Sequence, residues 1–171
     1  RSRIPGAFNT RLVSQDSVVY KSDTPITIRA TPSDYPGRRS LYIFTLIAGN
    51  PGVGQYTPLY ADQAGDDPAG EVGQYRVNDS GILDLATYRR TDDGDLLLTV
   101  PWNAVAFYGP TTIYTNAIDN NLYDLYRSDP NAAPQSGLAP GELHNIIDNV
   151  EGGTGVFGSL ARDKVEVYVG K

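Results

Sequence analysis

Apolar residues recur along most of this chain with a period of two, the repeat that places alternate side chains on opposite faces of a β-strand. Val18-Val19-Tyr20 and Pro25-Ile26-Thr27-Ile28-Arg29-Ala30-Thr31 combine β-branched residues with that alternation, which puts Ile26 and Ile28 on one face. Leu41-Tyr42-Ile43-Phe44-Thr45-Leu46-Ile47-Ala48 is apolar at both phases and closes on Gly49-Asn50-Pro51-Gly52, the pattern of a central strand covered on both sides. Shorter strands are expected over residues 55–60, 72–77 and 82–86. Leu96-Leu97-Leu98-Thr99-Val100 reads as a buried strand stopped by Pro101, since proline cannot donate to an interior ladder. Residues 105–108 and 111–115 flank Gly109-Pro110, a turn dipeptide, and predict a hairpin. Residues 164–169 predict a closing strand.

A period of 3.6 holds in one place. Ile118, Leu122, Leu125 and Tyr126 fall on one helical stripe, so a helix is expected over about 118–127 with Asn116 or Thr115 as its cap and Asp129-Pro130 as its end. Residues 49–81 carry seven glycines and three prolines and predict surface loop or short edge strands; residues 131–141 predict an irregular connector. Strands outnumber helices and turn signals recur about every ten residues, which points to two packed antiparallel sheets. The expected fold is a mainly β, antiparallel β-sandwich, immunoglobulin-like or related, with one short α-helix and long Gly/Pro-rich loops. Residues 1–21 read as an extended N-terminal arm and residues 22–171 as a single sandwich domain.

Composition removes several chemistries. The chain has no Cys, which excludes disulfides, zinc on sulfur, thioether haem and cysteine nucleophiles. It has no Met, at position 1 or elsewhere, from which removal of a leader or pro-segment is expected. A net charge of −6 argues against a nucleic-acid partner, because Arg38-Arg39 and Arg89-Arg90 are isolated pairs and not a basic stripe. No apolar run approaches the roughly twenty residues that span a bilayer. Twelve Tyr against four Phe and one Trp suits half-wet sheet surfaces.

Gly153, Gly155 and Gly158 spell G-x-G-x-x-G, yet five residues and a strand follow where a dinucleotide site needs a crossover helix; a glycine turn into the last strand is the reading. His144 is the one histidine and has no G-x-S-x-G serine to serve. Asp92-Asp93-Gly94-Asp95 and Asp62, Asp66 and Asp67 bring oxygen ligands together as calcium requires, but Asp-Asp-Gly-Asp also suits a tight hairpin turn, which is the reading preferred. Asn78-Asp79-Ser80 is a glycosylation sequon. Trp102 and Tyr108 are candidates for a sugar platform or for core packing. No catalytic residue, metal ligand or cofactor is assigned.

One stretch carries a resemblance. Asn149-Val150-Glu151-Gly152-Gly153-Thr154-Gly155-Val156-Phe157-Gly158, with Asn121-Leu122-Tyr123-Asp124-Leu125-Tyr126-Arg127 and the Pro-rich link between them, resembles an uncharacterised group of Bacteroidetes-type outer-membrane lipoproteins often encoded beside TonB-dependent receptors. The likeness covers roughly residues 113–169. It implies a β-rich surface protein with no catalytic residues to transfer, and an outer-membrane receptor as a possible partner. Those lipoproteins are longer, usually open with an extra immunoglobulin-like domain and carry a lipidated Cys, neither of which is found in this sequence.

Three functions follow as expectations. The first is a non-enzymatic extracellular or cell-surface module that binds a protein partner. The second is a subunit of an extracellular filament or pilus, in which the arm bearing Leu12, Val13, Val18, Val19 and Tyr20 completes a neighbouring copy's sheet by strand addition. The third is a secreted hydrolase using carboxylates among Asp62, Asp66, Asp67, Asp92, Asp93 and Asp95.

Overall fold

The structure is a computed structural model that describes residues 3–37, 41–82, 89–128 and 156–171. Among these residues the chain is mainly β, with two sheets and three α-helices. The strands are β1 (Thr10–Leu12), β2 (Ser17–Val19), β3 (Thr27–Ala30), β4 (Leu41–Ala48), β5 (Val77–Ile82), β6 (Arg89–Arg90), β7 (Leu96–Thr99), β8 (Gly109–Ile118) and β9 (Leu160–Gly170). The helices are α1 (Pro58–Ala64), α2 (Pro68–Tyr75) and α3 (Asn120–Ser128). One sheet has the order β1-β3-β7-β6 and the other β2-β9-β8-β4-β5.

Period-two patterning decides which side chains enter the core. Ile26 and Ile28 are fully buried on the same side of β3, as the alternation predicts. They pack with Leu46 of β4, Ile113 of β8, and Val167 and Val169 of β9, so one apolar cluster draws on both sheets. A second cluster does the same with Ala30 and Leu96 from one sheet and Tyr42, Phe44 and Ala117 from the other. β4 lies between β8 and β5, and its doubly apolar pattern matches burial of Tyr42 and Phe44 on one face and Ile43 on the other. β7 ends before Pro101, where the Val100 amide still donates to the Ile26 carbonyl at 2.9 Å.

Several expectations are corrected. Residues 49–81, expected as surface loop or short edge strands, meet that expectation over 77–81 in the edge strand β5 but form helices over 58–64 and 68–75; 55–60 is not a strand, and of 72–77 only Val77 lies in one. Val53–Gln55 is a 3-10 turn, and Pro58 and Pro68 each stand in the first turn of a helix, where a missing N–H costs nothing and φ is preset. Tyr60 and Ala64, one helical turn apart, bury against Tyr56, Ala106 and Phe107, with Val72 and Tyr75 of α2 beside them. Asp67 caps α2 by accepting from the Gly70 amide at 3.0 Å. Among the described residues there are therefore three α-helices where one was expected.

No hairpin forms at Gly109-Pro110. Both residues begin β8, which continues unbroken to Ile118. Gly109 has φ +107°, and the Pro110 carbonyl accepts from the Gly49 amide at 2.8 Å, just past the end of β4. Proline is tolerated because it stands at the strand's start, opposite Gly49 just past the end of β4, where the exposed Gly49 carbonyl that loses a donor faces solvent. The helix expected over 118–127 begins at Asn120: Ile118, Thr115 and Asn116 belong to β8, and the cap is Asp119, whose carboxylate accepts from the Leu122 amide at 2.9 Å. The closing strand runs from 160 to 170, longer than expected. Of residues 82–86 only Ile82 is described, as the end of β5.

The arm is not separate from the domain. β1 pairs antiparallel with β3, and β2 pairs parallel with β9, so residues 10–19 supply an edge strand to each sheet. The β2–β9 pair is the departure from an all-antiparallel arrangement.

Candidate interaction surface

Exposed and inward-facing side chains alternate along the whole of β9. Leu160, Arg162, Lys164, Glu166 and Tyr168 are exposed, while 161, 163, 165, 167 and 169 turn inward. Its register with β8 sets Arg162 beside Asn116, Lys164 beside Tyr114, Glu166 beside Thr112 and Tyr168 beside Pro110. One strand further, Asn116 and Tyr114 lie beside Ile43 and Thr45 of β4.

Arg162 is fixed on this face. Its Nε donates to Asn116 Oδ1 at 2.6 Å, and its guanidinium lies over the Tyr114 ring, 4.8 Å from the centroid. Asn116 is 3% exposed, and its amide nitrogen donates to the Ile43 carbonyl at 3.0 Å and to Thr45 Oγ1 at 3.1 Å. A buried amide bonded at both ends has one orientation, so it holds the arginine in one orientation too. Among the described residues the two terminal guanidinium nitrogens make no bond, which leaves a planar, paired donor facing outward.

Lys164 and Glu166 pair at 2.8 Å on the same face. The Lys164 hydrogen bond holds the Glu166 carboxyl below its ordinary range, and the same bond raises the lysine. On α3, burial raises the Tyr126 phenol; nearby Asp79 adds to the rise and Arg162 opposes it. Beyond the charged rows lie Tyr168, 53% exposed, and Val19 of β2, 54% exposed. Pairing of β2 with the end of β9 joins these two into one apolar margin.

The residues singled out in the sequence fall as follows. Leu12 lies in β1; Val13 follows it, 55% exposed, and its amide donates to the Thr27 carbonyl at 2.8 Å. Val18 is buried in the core between the sheets, Val19 faces out, and the Tyr20 amide donates to the Gly170 carbonyl at 3.0 Å. All five arm residues are thus engaged with their own chain. Trp102 and Tyr108 are half-buried against the core and meet Tyr20 edge-on at 5.4 and 5.6 Å, a packed trio and not an open platform.

Asn78 donates its amide nitrogen to Tyr60 Oη and to the Ala104 carbonyl, each at 3.0 Å, so the sequon's nitrogen already has two acceptors. Residues 91–95 form the expected turn between β6 and β7, with Gly94 at φ +83°. Asp95 and Asp93 are taken by Arg29 of β3, at 2.5 and 2.9 Å. Those side-chain hydrogen bonds, Asp95 first, raise the Arg29 pKa. Asp67 serves as the α2 cap, and among the described residues no three His, Cys, Asp or Glu side chains converge as metal ligands would.

His144, Gly153 and Gly155 lie outside the described residues, as do Asn149 and the rest of its motif up to Gly155. Gly158 is described, and a Cβ there would stand 2.5 Å from Leu122 Cγ. The third glycine of the motif thus allows the chain to cross close over α3. The Arg162–Asn116–Tyr114 arrangement was invisible in the sequence, since the residues it joins are 46 and more positions apart. Comparison of the chain with protein-family models, with curated proteins and with solved structures finds no match.

Proposed function

We propose that this chain is an immunoglobulin-like β-sandwich that acts at the cell surface or outside the cell by holding a protein partner, without catalysis. Strand order supports the fold part of the reading. The orders β1-β3-β7-β6 and β2-β9-β8-β4-β5 correspond to the A-B-E-D and G-F-C-C′ sheets of variable-type immunoglobulin domains, with the first strand divided between the two sheets. The likeness of residues 149–158 to surface lipoproteins beside TonB-dependent receptors adds to the localisation.

One observation carries the binding reading: the exposed guanidinium of Arg162, latched by Asn116 and stacked on Tyr114, on the same face as exposed Tyr168 six residues further along β9. Arg and Tyr are the residues that dominate binding energy at protein interfaces, and a side chain already held in place loses less entropy on binding. The contact is tested by copurification after formaldehyde crosslinking in the source cell. A partner recovered with the native chain and with Leu59→Ala, but lost with Arg162→Ala/Tyr168→Ala, supports the reading. Equal recovery with all three contradicts it.

A second reading, a filament subunit joined by N-terminal strand addition, draws on the short edge strands of the arm. β1 and β2 are three residues each, so exchanging them with a neighbour breaks few bonds. Deleting residues 1–15 abolishes polymerisation if this holds; fibres that assemble without them reject it.

A further inference from the structure

The two cations of the β8–β9 face differ in what their charge meets. Lys164 gives its charge to Glu166 at 2.8 Å, while Arg162 forms no ion pair among the described residues. Nε of Arg162 is spent on Asn116 Oδ1, which closes the side-on approach to the guanidinium. Tyr114 covers one face of its plane. Asn116 is itself bonded to the Ile43 carbonyl and Thr45 Oγ1 of β4, so the fork is braced through two further strands. What remains is the outer end of the guanidinium, a flat pair of parallel N–H donors on an exposed side chain. Such a pair matches the two oxygens of a carboxylate.

The surrounding charge selects among oxyanions. With Lys164 neutralised, the site offers the single positive charge of Arg162. The Tyr126 phenol of α3 feels both that guanidinium and Asp79 of β5, so a carboxylate of the chain's own lies within range. Strands β4 and β8 separate Asp79 from β9, and it biases the fork without occupying it. A phosphate monoester carries about −1.5 to −2 charges and would be left partly unmatched beside Asp79 and Glu166. A carboxylate carries one charge and is matched by the arginine alone. The chain's net charge of −6 also disfavours a polyacidic tract, which leaves one acidic side chain as the fitting group.

Given that this face meets the protein partner, a reading on which the assignment stands, we propose that Arg162 anchors a single Asp or Glu side chain of that partner. The carboxylate is gripped end-on, in the guanidinium plane, through the two terminal nitrogens.

Two measurements test it. In NMR of the full chain with isotope-labelled arginine, acetyl-Gly-Glu-Gly-amide at neutral pH binds the Arg162 guanidinium about tenfold more tightly than it binds exposed Arg11, which lacks the latch. The Gln counterpart of the peptide, and inorganic phosphate at equal ionic strength, bind Arg162 more weakly. Equal response at Arg162 and Arg11, or tighter binding of the Gln peptide or of phosphate, overturns the proposal. In the crosslinking recovery, Arg162→Lys keeps the charge but loses the fork, and recovery of the partner falls by about tenfold, as with Arg162→Ala. Full recovery with Arg162→Lys but not with Arg162→Ala overturns the carboxylate grip and leaves the partner reading standing. Recovery indifferent to both variants defeats the two together.

Discussion

Adjacent prolines in β9 should have opposite consequences for stability. The Asp119 amide donates to the Ser159 carbonyl at 3.0 Å in the β8–β9 register, so the odd residues of β9 exchange hydrogen bonds with β8 and the even ones point theirs away; Val165→Pro removes the N–H that satisfies the carbonyl of Ile113, a residue with 0% exposure. An orphaned buried carbonyl costs about 1–3 kcal/mol. Loss of half-buried valine packing adds about 1 kcal/mol. The sum, about 2–4 kcal/mol, is a large fraction of the stability of an ordinary domain. Lys164→Pro removes an N–H aimed at the open edge, so its cost stays within about 1 kcal/mol. Urea denaturation followed by far-UV circular dichroism separates the two. With a slope of about 1–3 kcal/mol per molar, Val165→Pro lowers the midpoint by about 1 M or more while Lys164→Pro barely moves it. Equal losses, or a larger loss for Lys164→Pro, would refute the assigned phase of the strand.

Gly158→Ala should destabilise by about 1–3 kcal/mol, since its Cβ meets Leu122 Cγ at 2.5 Å and must push α3 outward; an unchanged melting temperature would disprove this close crossing. Asp67→Ala should cost about 1 kcal/mol through loss of the α2 cap at Gly70, read as a lower urea midpoint. Burial raises the Tyr60 phenol above its ordinary value of 10.0, and its hydroxyl donates to the Asn103 carbonyl at 3.0 Å. A raised folded-state pKa contributes stability that is intact below the unfolded value and lost as pH climbs through the folded one. Unfolding free energy should therefore fall above pH 10, and Tyr60→Phe should make that fall shallower; an identical alkaline slope in the variant would contradict the assignment.

The strands that build the core were legible because burial imposes the period. Ile26 and Ile28, the doubly apolar β4 and the alternating β9 announced themselves. The helices α1 and α2 were hidden in a region read as loop from its Gly and Pro. Pro58 after Thr57 and Pro68 after Asp67 are helix-start signals that the strand-like Tyr56, Tyr60, Val72 and Tyr75 obscured. Gly109-Pro110 reads as a turn because sequence does not reveal that its strand begins where β4 ends. Parallel pairing of β2 with β9, and the latch that Asn116 makes on Arg162, depend on contacts between distant segments that no local pattern encodes.

The binding claim is tested most directly by hydrogen exchange on the chain free and in complex with the partner recovered by crosslinking. Protection concentrated in residues 109–118 and 160–170, with α1 and α2 unchanged, is the expected result. Protection confined to residues 58–75, with β8 and β9 exchanging as in the free chain, would place the contact elsewhere and contradict the account.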